Sequence, residues 1–83
     1  VELGRYGITA NTVVPGMIET QASQPVRERL AERNALDRLL ADIPVGRFGE
    51  ADDVAAAIAF LCSDDSAYTT GDAIYVTGGQ TLP

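Results

Sequence analysis

The sequence predicts an α/β fold: one βαβ unit, two parallel strands joined by a helical crossover, as at one end of an open doubly wound sheet. Two short runs, Ile8–Val14 and Ala73–Thr77, are rich in β-branched residues and of strand length. The long stretch between them carries helical periodicity twice, which parallel strands need because only a crossover can join them. Gly and Pro punctuate both runs. The crossover is expected to be right-handed.

Each element has its own signal. Val1 to Arg5 reads as the end of a helix, with Gly7 suited to a left-handed cap. Ile8–Val14 is the first strand, and Pro15 stops its ladder because proline has no N–H to donate. Residues 15–24 are expected as loop. Pro25 stands at a helix start behind Ser23 or Gln24. Val26, Leu30, Leu36, Leu39, Leu40 and Ile43 fall roughly on one face, interrupted by Arg33. The like-charge pairs Glu28/Glu32 and Arg29/Arg33 are unfavourable four residues apart, so a broken, mobile helical segment is expected. Residues 46–49 form a turn. Asp52 and Asp53 then fall in the first turn of a further helix, where carboxylates suit the positive end of the dipole. Its apolar stripe is Val54, Ala57, Ile58, Leu61 and Cys62. Asp64-Asp65-Ser66 ends it, and Ala73–Thr77 is the second strand.

Composition narrows the function. The 83 residues allow one small domain or part of one. Six basic residues against 12 acidic ones give a net charge of −6, which argues against nucleic acid and anionic membranes as partners. No apolar run approaches the roughly 20 residues of a spanning helix. There is no His and one Cys, so no disulfide within the chain and no zinc site are expected. Cys62, on an apolar helical face, is expected as a small core residue.

The segment most able to carry chemistry is Asn11-Thr12-Val13-Val14-Pro15-Gly16-Met17-Ile18-Glu19-Thr20. Gly16 lacks a Cβ and lets backbone lie against a flat ligand. A strand, a sharp turn, then backbone amides and a hydroxyl is how ligands sit at the carboxyl end of a parallel strand. The competing reading is an ordinary turn, with Thr20 as a loop or N-cap hydroxyl. Asn11, disfavoured in a strand, is expected to satisfy neighbouring backbone groups. Glu19 reads as a solvated surface carboxylate, and the helical arginines as partners of nearby glutamates.

Three further segments follow in order: Ile43-Pro44-Val45-Gly46-Arg47-Phe48-Gly49-Glu50, Asp53-Val54-Ala55 through Phe60-Leu61-Cys62-Ser63-Asp64, and Tyr68-Thr69-Thr70-Gly71 leading into Ile74-Tyr75-Val76-Thr77-Gly78-Gly79. Together with the first, they make the chain resemble the C-terminal part of classical short-chain dehydrogenases/reductases. The Pro-Gly and Gly-Arg-Phe-Gly segments look most like the 3-oxoacyl-acyl-carrier-protein reductases, and sugar, polyol or steroid dehydrogenases share the same features. The resemblance implies that residues 1–83 are the C-terminal piece of a single NAD(P)-binding Rossmann-like domain. Val1, which is not an initiator Met, fits a helix already under way.

By that resemblance the cofactor is NAD or NADP. Pro15 and Gly16 would pack under the nicotinamide, backbone groups of Ile18 would hold its carboxamide, and the Thr20 hydroxyl would bond the carboxamide or a phosphate. Met17 and residues 21–40 lie where the family builds its substrate lid over a small-molecule alcohol or carbonyl. Arg47 is expected to bond loop carbonyls. Thr77 stands where the family usually has Asp.

The family's catalytic Tyr and the Lys four residues on are absent, since the chain has no Lys, and so is its Gly-rich phosphate turn. No catalytic residue is therefore expected here, and the piece alone is expected to be inactive. The intact protein is expected to be a cytoplasmic oxidoreductase and a homo-oligomer, tetrameric by resemblance. The alternative is a non-catalytic α/β interaction module, which an upstream Tyr-x-x-x-Lys would exclude.

Overall fold

The computed structural model describes residues 2–80. Strand β1 (Thr12–Pro15) pairs in parallel with β4 (Ala73–Val76), in the register Thr12↔Ala73 to Pro15↔Val76. The expected parallel pair and helical crossover are present. A second, two-residue parallel pair joins β2 (Ile18–Glu19) to β3 (Gly49–Glu50). The crossover contains α1 (Gln24–Glu32), α2 (Leu36–Ala41) and α3 (Ala51–Leu61).

The first strand starts later than its composition suggests. Ile8 to Asn11 make no ladder, and the pairing begins at Thr12. Residues 10–12 are instead joined to 70–72 by single bonds: Ala10 N to Thr70 Oγ1, Gly71 N to Ala10 O, and Thr12 N to Asp72 O. Asn11 stitches this entry as expected. Its amide donates to Thr69 O at 3.0 Å and its Oδ1 accepts Asp72 N–H at 3.1 Å. The side chain thereby satisfies two backbone groups where the strands have not yet met.

Residues 15–24 are not wholly loop, because β2 lies among them. Two residues bridged to two others leave no periodicity to read, and Glu19 and Glu50 are poor strand formers. Upstream, Gly7 caps a 3-10 turn (Gly4–Tyr6) with φ 75°, as expected. Pro25 occupies the second position of α1, where no helical N–H is required. The helical segment breaks at Arg33 and Asn34, and Asn34 adopts the left-handed φ of 56°.

Helix α3 opens on Asp52 and Asp53, as expected, and Asp53 Oδ2 accepts the Glu50 N–H at 2.7 Å. That is one limb of a capping box. Only part of the expected stripe is covered. Val54, Ala57 and Leu61 are half-buried, whereas Ile58 and Cys62 are exposed. Cys62 is therefore not a core residue here, because no described element packs over that side of the helix. Past the helix, Ser66 is buried, with Oγ 3.0 Å from Leu61 O and 3.1 Å from Ser63 O.

Ile43, only 3% exposed, is the one fully buried apolar side chain among the described residues. It packs at Gly78, where a Cβ would come within 2.9 Å of Ile43 Cγ2. Gly78 and Gly79 have φ of 64° and 89°, and the Gly78 carbonyl accepts Val45 N–H at 3.0 Å. The turn at 43–45 is thus seated on the chain leaving β4. The radius of gyration is 16.0 Å, against about 12 Å for a compact domain of this length. The accessible surface is 6363 Å², against about 4,800 Å² for a compact protein of this mass.

Candidate functional site

The expected site residues follow the carboxyl end of β1. Pro15 ends the strand and is exposed, Gly16, Met17 and Ile18 are half-buried, and Thr20 is exposed. Gly16 N donates to Val76 O at 2.9 Å, one step beyond the ladder. The need for glycine here comes from β4's exit. A Cβ at Gly16 would lie 2.9 Å from Thr77 Cα and 3.1 Å from Thr77 Cβ. The close approach at Gly16 is therefore between two backbones, where the sequence suggested a ligand contact or an ordinary turn.

Beyond Gly16, Met17 O accepts Gly49 N–H at 2.9 Å, which ties the loop to the start of α3. Thr20 and Ser23 then bond reciprocally. Thr20 N donates to Ser23 Oγ at 2.9 Å, and Ser23 N donates to Thr20 Oγ1 at 3.2 Å. Ser23 Oγ also lies 2.8 Å from Ile18 O. Thr20 therefore has the local hydroxyl role that was the alternative to a ligand role. Its own hydroxyl proton has no partner among the described residues.

Arg27, on the first turns of α1, reaches back over this loop. Its Nη1 donates to Glu19 Oε1 at 2.9 Å, Nη2 to Thr20 O at 3.0 Å and Nε to Ser23 Oγ at 3.2 Å. Sequence reasoning missed Ser23 and Arg27 as parts of the site. The available signal was two hydroxyls three residues apart just before Pro25, a spacing suited to capping a helix start.

Across the loop, Arg47 Nη1 donates to Phe48 O at 2.9 Å and to Asp53 Oδ2 at 3.0 Å, while Nη2 lies 3.4 Å from Asp53 Oδ1. The carbonyl bond is the expected one, and the ion pair is additional. The hydrogen bond from Arg47, with that from Glu50 N–H, holds the Asp53 carboxyl below its usual range. The Asp53 hydrogen bond correspondingly raises the Arg47 guanidinium. A cleft of about 330 Å³ opens beside this pair, lined by Met17, Val45, Arg47, Tyr75, Thr77 and Gly78 among others. Of the expected site residues, only Met17 lines it.

A parallel strand pair with helices in the crossover and a polar segment at the carboxyl end of one strand defines the class: a βαβ unit of an open α/β sheet. Comparison with known proteins gives the family. The chain belongs to the short-chain dehydrogenase/reductase family. The family model described as enoyl-(acyl carrier protein) reductase matches residues 1–81. The chain is 46% identical over 78 residues to (3R)-3-hydroxyacyl-CoA dehydrogenase of Canis lupus familiaris, covering 94% of this chain and 28% of that protein. It is 44% identical over 81 residues to 3-oxoacyl-acyl-carrier-protein reductase of Haemophilus influenzae, covering 98% and 31%. Among solved structures it is similar to YwfH, an NADPH-dependent reductase involved in bacilysin biosynthesis. That match has a TM-score of 0.85 and 32% identity, covering 99% of this chain and 33% of the other. The chain thus spans less than a third of the length of the curated relatives it matches.

Proposed function

We propose that this chain is the C-terminal part of an NAD(P)-dependent oxidoreductase that interconverts an alcohol and a carbonyl, and that its residues 15–20 position the nicotinamide. The supporting observation is the segment Ile18–Thr20, β2 and the residue after it, which follows the carboxyl end of β1 in a chain of this family. Thr20 Oγ1 accepts one backbone N–H and keeps a proton to donate. Ile18 O accepts one hydroxyl, and a carbonyl oxygen has a second lone pair. One side-chain donor and one backbone acceptor, two residues apart, fit a carboxamide, which offers the complementary pair.

When bound, the dinucleotide supplies or takes the hydride. This chain's residues fix the ring. Pro15 and Gly16 form the floor, and Ile18 and Thr20 set which ring face meets the substrate. Met17, α1 and α2 cover the substrate and exclude water. The identities of the relatives favour 3-hydroxyacyl or 3-oxoacyl thioesters. The Tyr and Lys that move the proton lie outside this chain, which alone is inactive. The same reading gives a cytoplasmic homo-oligomer, a tetramer.

Thr20→Val in the full-length enzyme is the test. The swap keeps shape and removes one hydroxyl, and an unpaired site group costs about 1–3 kcal/mol, or roughly 5- to 150-fold in cofactor Kd. Fluorescence titration measures the Kd, and a thermal melt checks folding. Cofactor binding equal to the parent's would show that the loop does not hold the nicotinamide.

A further inference from the structure

Arg27 makes three side-chain hydrogen bonds, and every one of them ends on the stretch 19–23. Its three guanidinium nitrogens reach the Glu19 carboxylate at 2.9 Å, the Thr20 carbonyl at 3.0 Å and the Ser23 hydroxyl at 3.2 Å. The Arg27 side chain is 21% exposed, against 53% for Glu19. The guanidinium therefore lies against the loop, with its planar fork matched to fixed acceptors, a geometry lysine cannot reproduce.

We infer that Arg27 is a positioning residue that fastens α1 to the loop carrying Thr20, so that the helix over the substrate and the cofactor loop move as one body. The inference rests on the cofactor reading of residues 15–20. The mechanism is local. Arg27 Nη2 holds the carbonyl of Thr20 itself, and Nε holds the Ser23 hydroxyl that receives Thr20 N–H. Both bonds limit rotation of the backbone that aims the Thr20 hydroxyl. The Glu19 pair anchors the other end of the fork. Withdrawing α1 would break all three together and leave the loop held only at residues 17–19, by Met17 O to Gly49 N–H and the β2–β3 pair, with the Thr20 end released.

The tests use the full-length enzyme, with Arg27→Ala, Arg27→Lys, Thr20→Val and the double variant Arg27→Ala/Thr20→Val. Arg27→Ala is expected to raise cofactor Kd about 10-fold, near the effect of losing one charged hydrogen bond. Arg27→Lys restores only the Glu19 pair and is expected to fall between. Because Arg27 acts through Thr20, the double variant is expected to bind cofactor no worse than about 2-fold below the weaker single variant. Substrate KM is expected to rise with kcat changed less, since the helix and loop separate before the chemical step.

Multiplication of the two single effects in the double variant would overturn the inference, as would parent-like cofactor Kd in Arg27→Ala. Failure of Thr20→Val alone to weaken binding would instead remove the cofactor reading on which it rests. Should Arg27→Ala melt before assay, Arg27→Lys with Glu19→Gln decides. Parent-like cofactor Kd in both overturns the inference, and weakened binding in both supports it.

Discussion

Replacing Gly16 with alanine tests whether β1 and β4 meet as closely at their ends as the structure has them. The added Cβ would stand 2.9 Å from Thr77 Cα and 3.2 Å from Thr77 Cγ2. The nearest atom is backbone, so no rotamer change relieves the contact, and the strand ends must part. Parting them lengthens the bond from Gly16 N to Val76 O, now 2.9 Å. Overpacking of this kind costs about 1–3 kcal/mol. In a domain of 150–250 residues each kcal/mol lowers Tm by about 2–4 °C, so the full-length enzyme is expected to melt about 2–12 °C earlier. Differential scanning calorimetry reads this directly. Adding Thr77→Ala removes Cγ2 but leaves Cα, so it is expected to restore only part of the loss. A Gly16→Ala enzyme with the parent's Tm would refute the strand-end packing and return Gly16 to a purely ligand-facing role.

Other outcomes follow from the same geometry. Asn11→Ala leaves Thr69 O and Asp72 N–H without their partner and is expected to cost about 1–3 kcal/mol in a urea melt of the full-length enzyme. Asp53, whose folded-state pKa is depressed, stabilises the fold fully above its unfolded pKa of about 4, and that contribution disappears as pH falls through the lower folded value. Asp53→Asn is therefore expected to flatten the acid limb of a stability-against-pH curve, and an unchanged limb would contradict it. The isolated chain is expected to show no NAD(P)H-linked turnover on ketones or alcohols. With one fully buried apolar residue among the described residues, it is also expected to unfold without a sharp urea transition or to self-associate in sedimentation.

The parallel pair, the α3 start, the Gly7 cap and the break near Arg33 were legible because each depends on local periodicity or on a residue with few allowed conformations. The onset of β1 was not, because Ile8 to Asn11 have strand composition but face single bonds from 70–72 rather than a ladder. Composition reports propensity, whereas pairing reports a neighbour. The exposure of Cys62 and Ile58 escaped for the same reason, since an apolar stripe states what a helix can cover and not whether something covers it. At the candidate site, the polar loop after Pro15 was readable. The Gly16–Thr77 approach and the reach of Arg27 were not, because both depend on how distant segments are brought together in space.

The pairing of β1 with β4 has a consequence during synthesis. Thr12 meets Ala73, a residue made 61 positions later. At about 5–20 residues per second, roughly 3–12 s separate the addition of Thr12 to the chain from that of its neighbour. Through that interval its β4-facing edge is unpaired, in a stretch rich in valine, and open to the pairing with other chains that such edges invite. Slowing translation between the codons for Pro15 and Ala73 is expected to increase the insoluble fraction of newly made protein, and moving the slow codons past Ala73 is expected to abolish the effect.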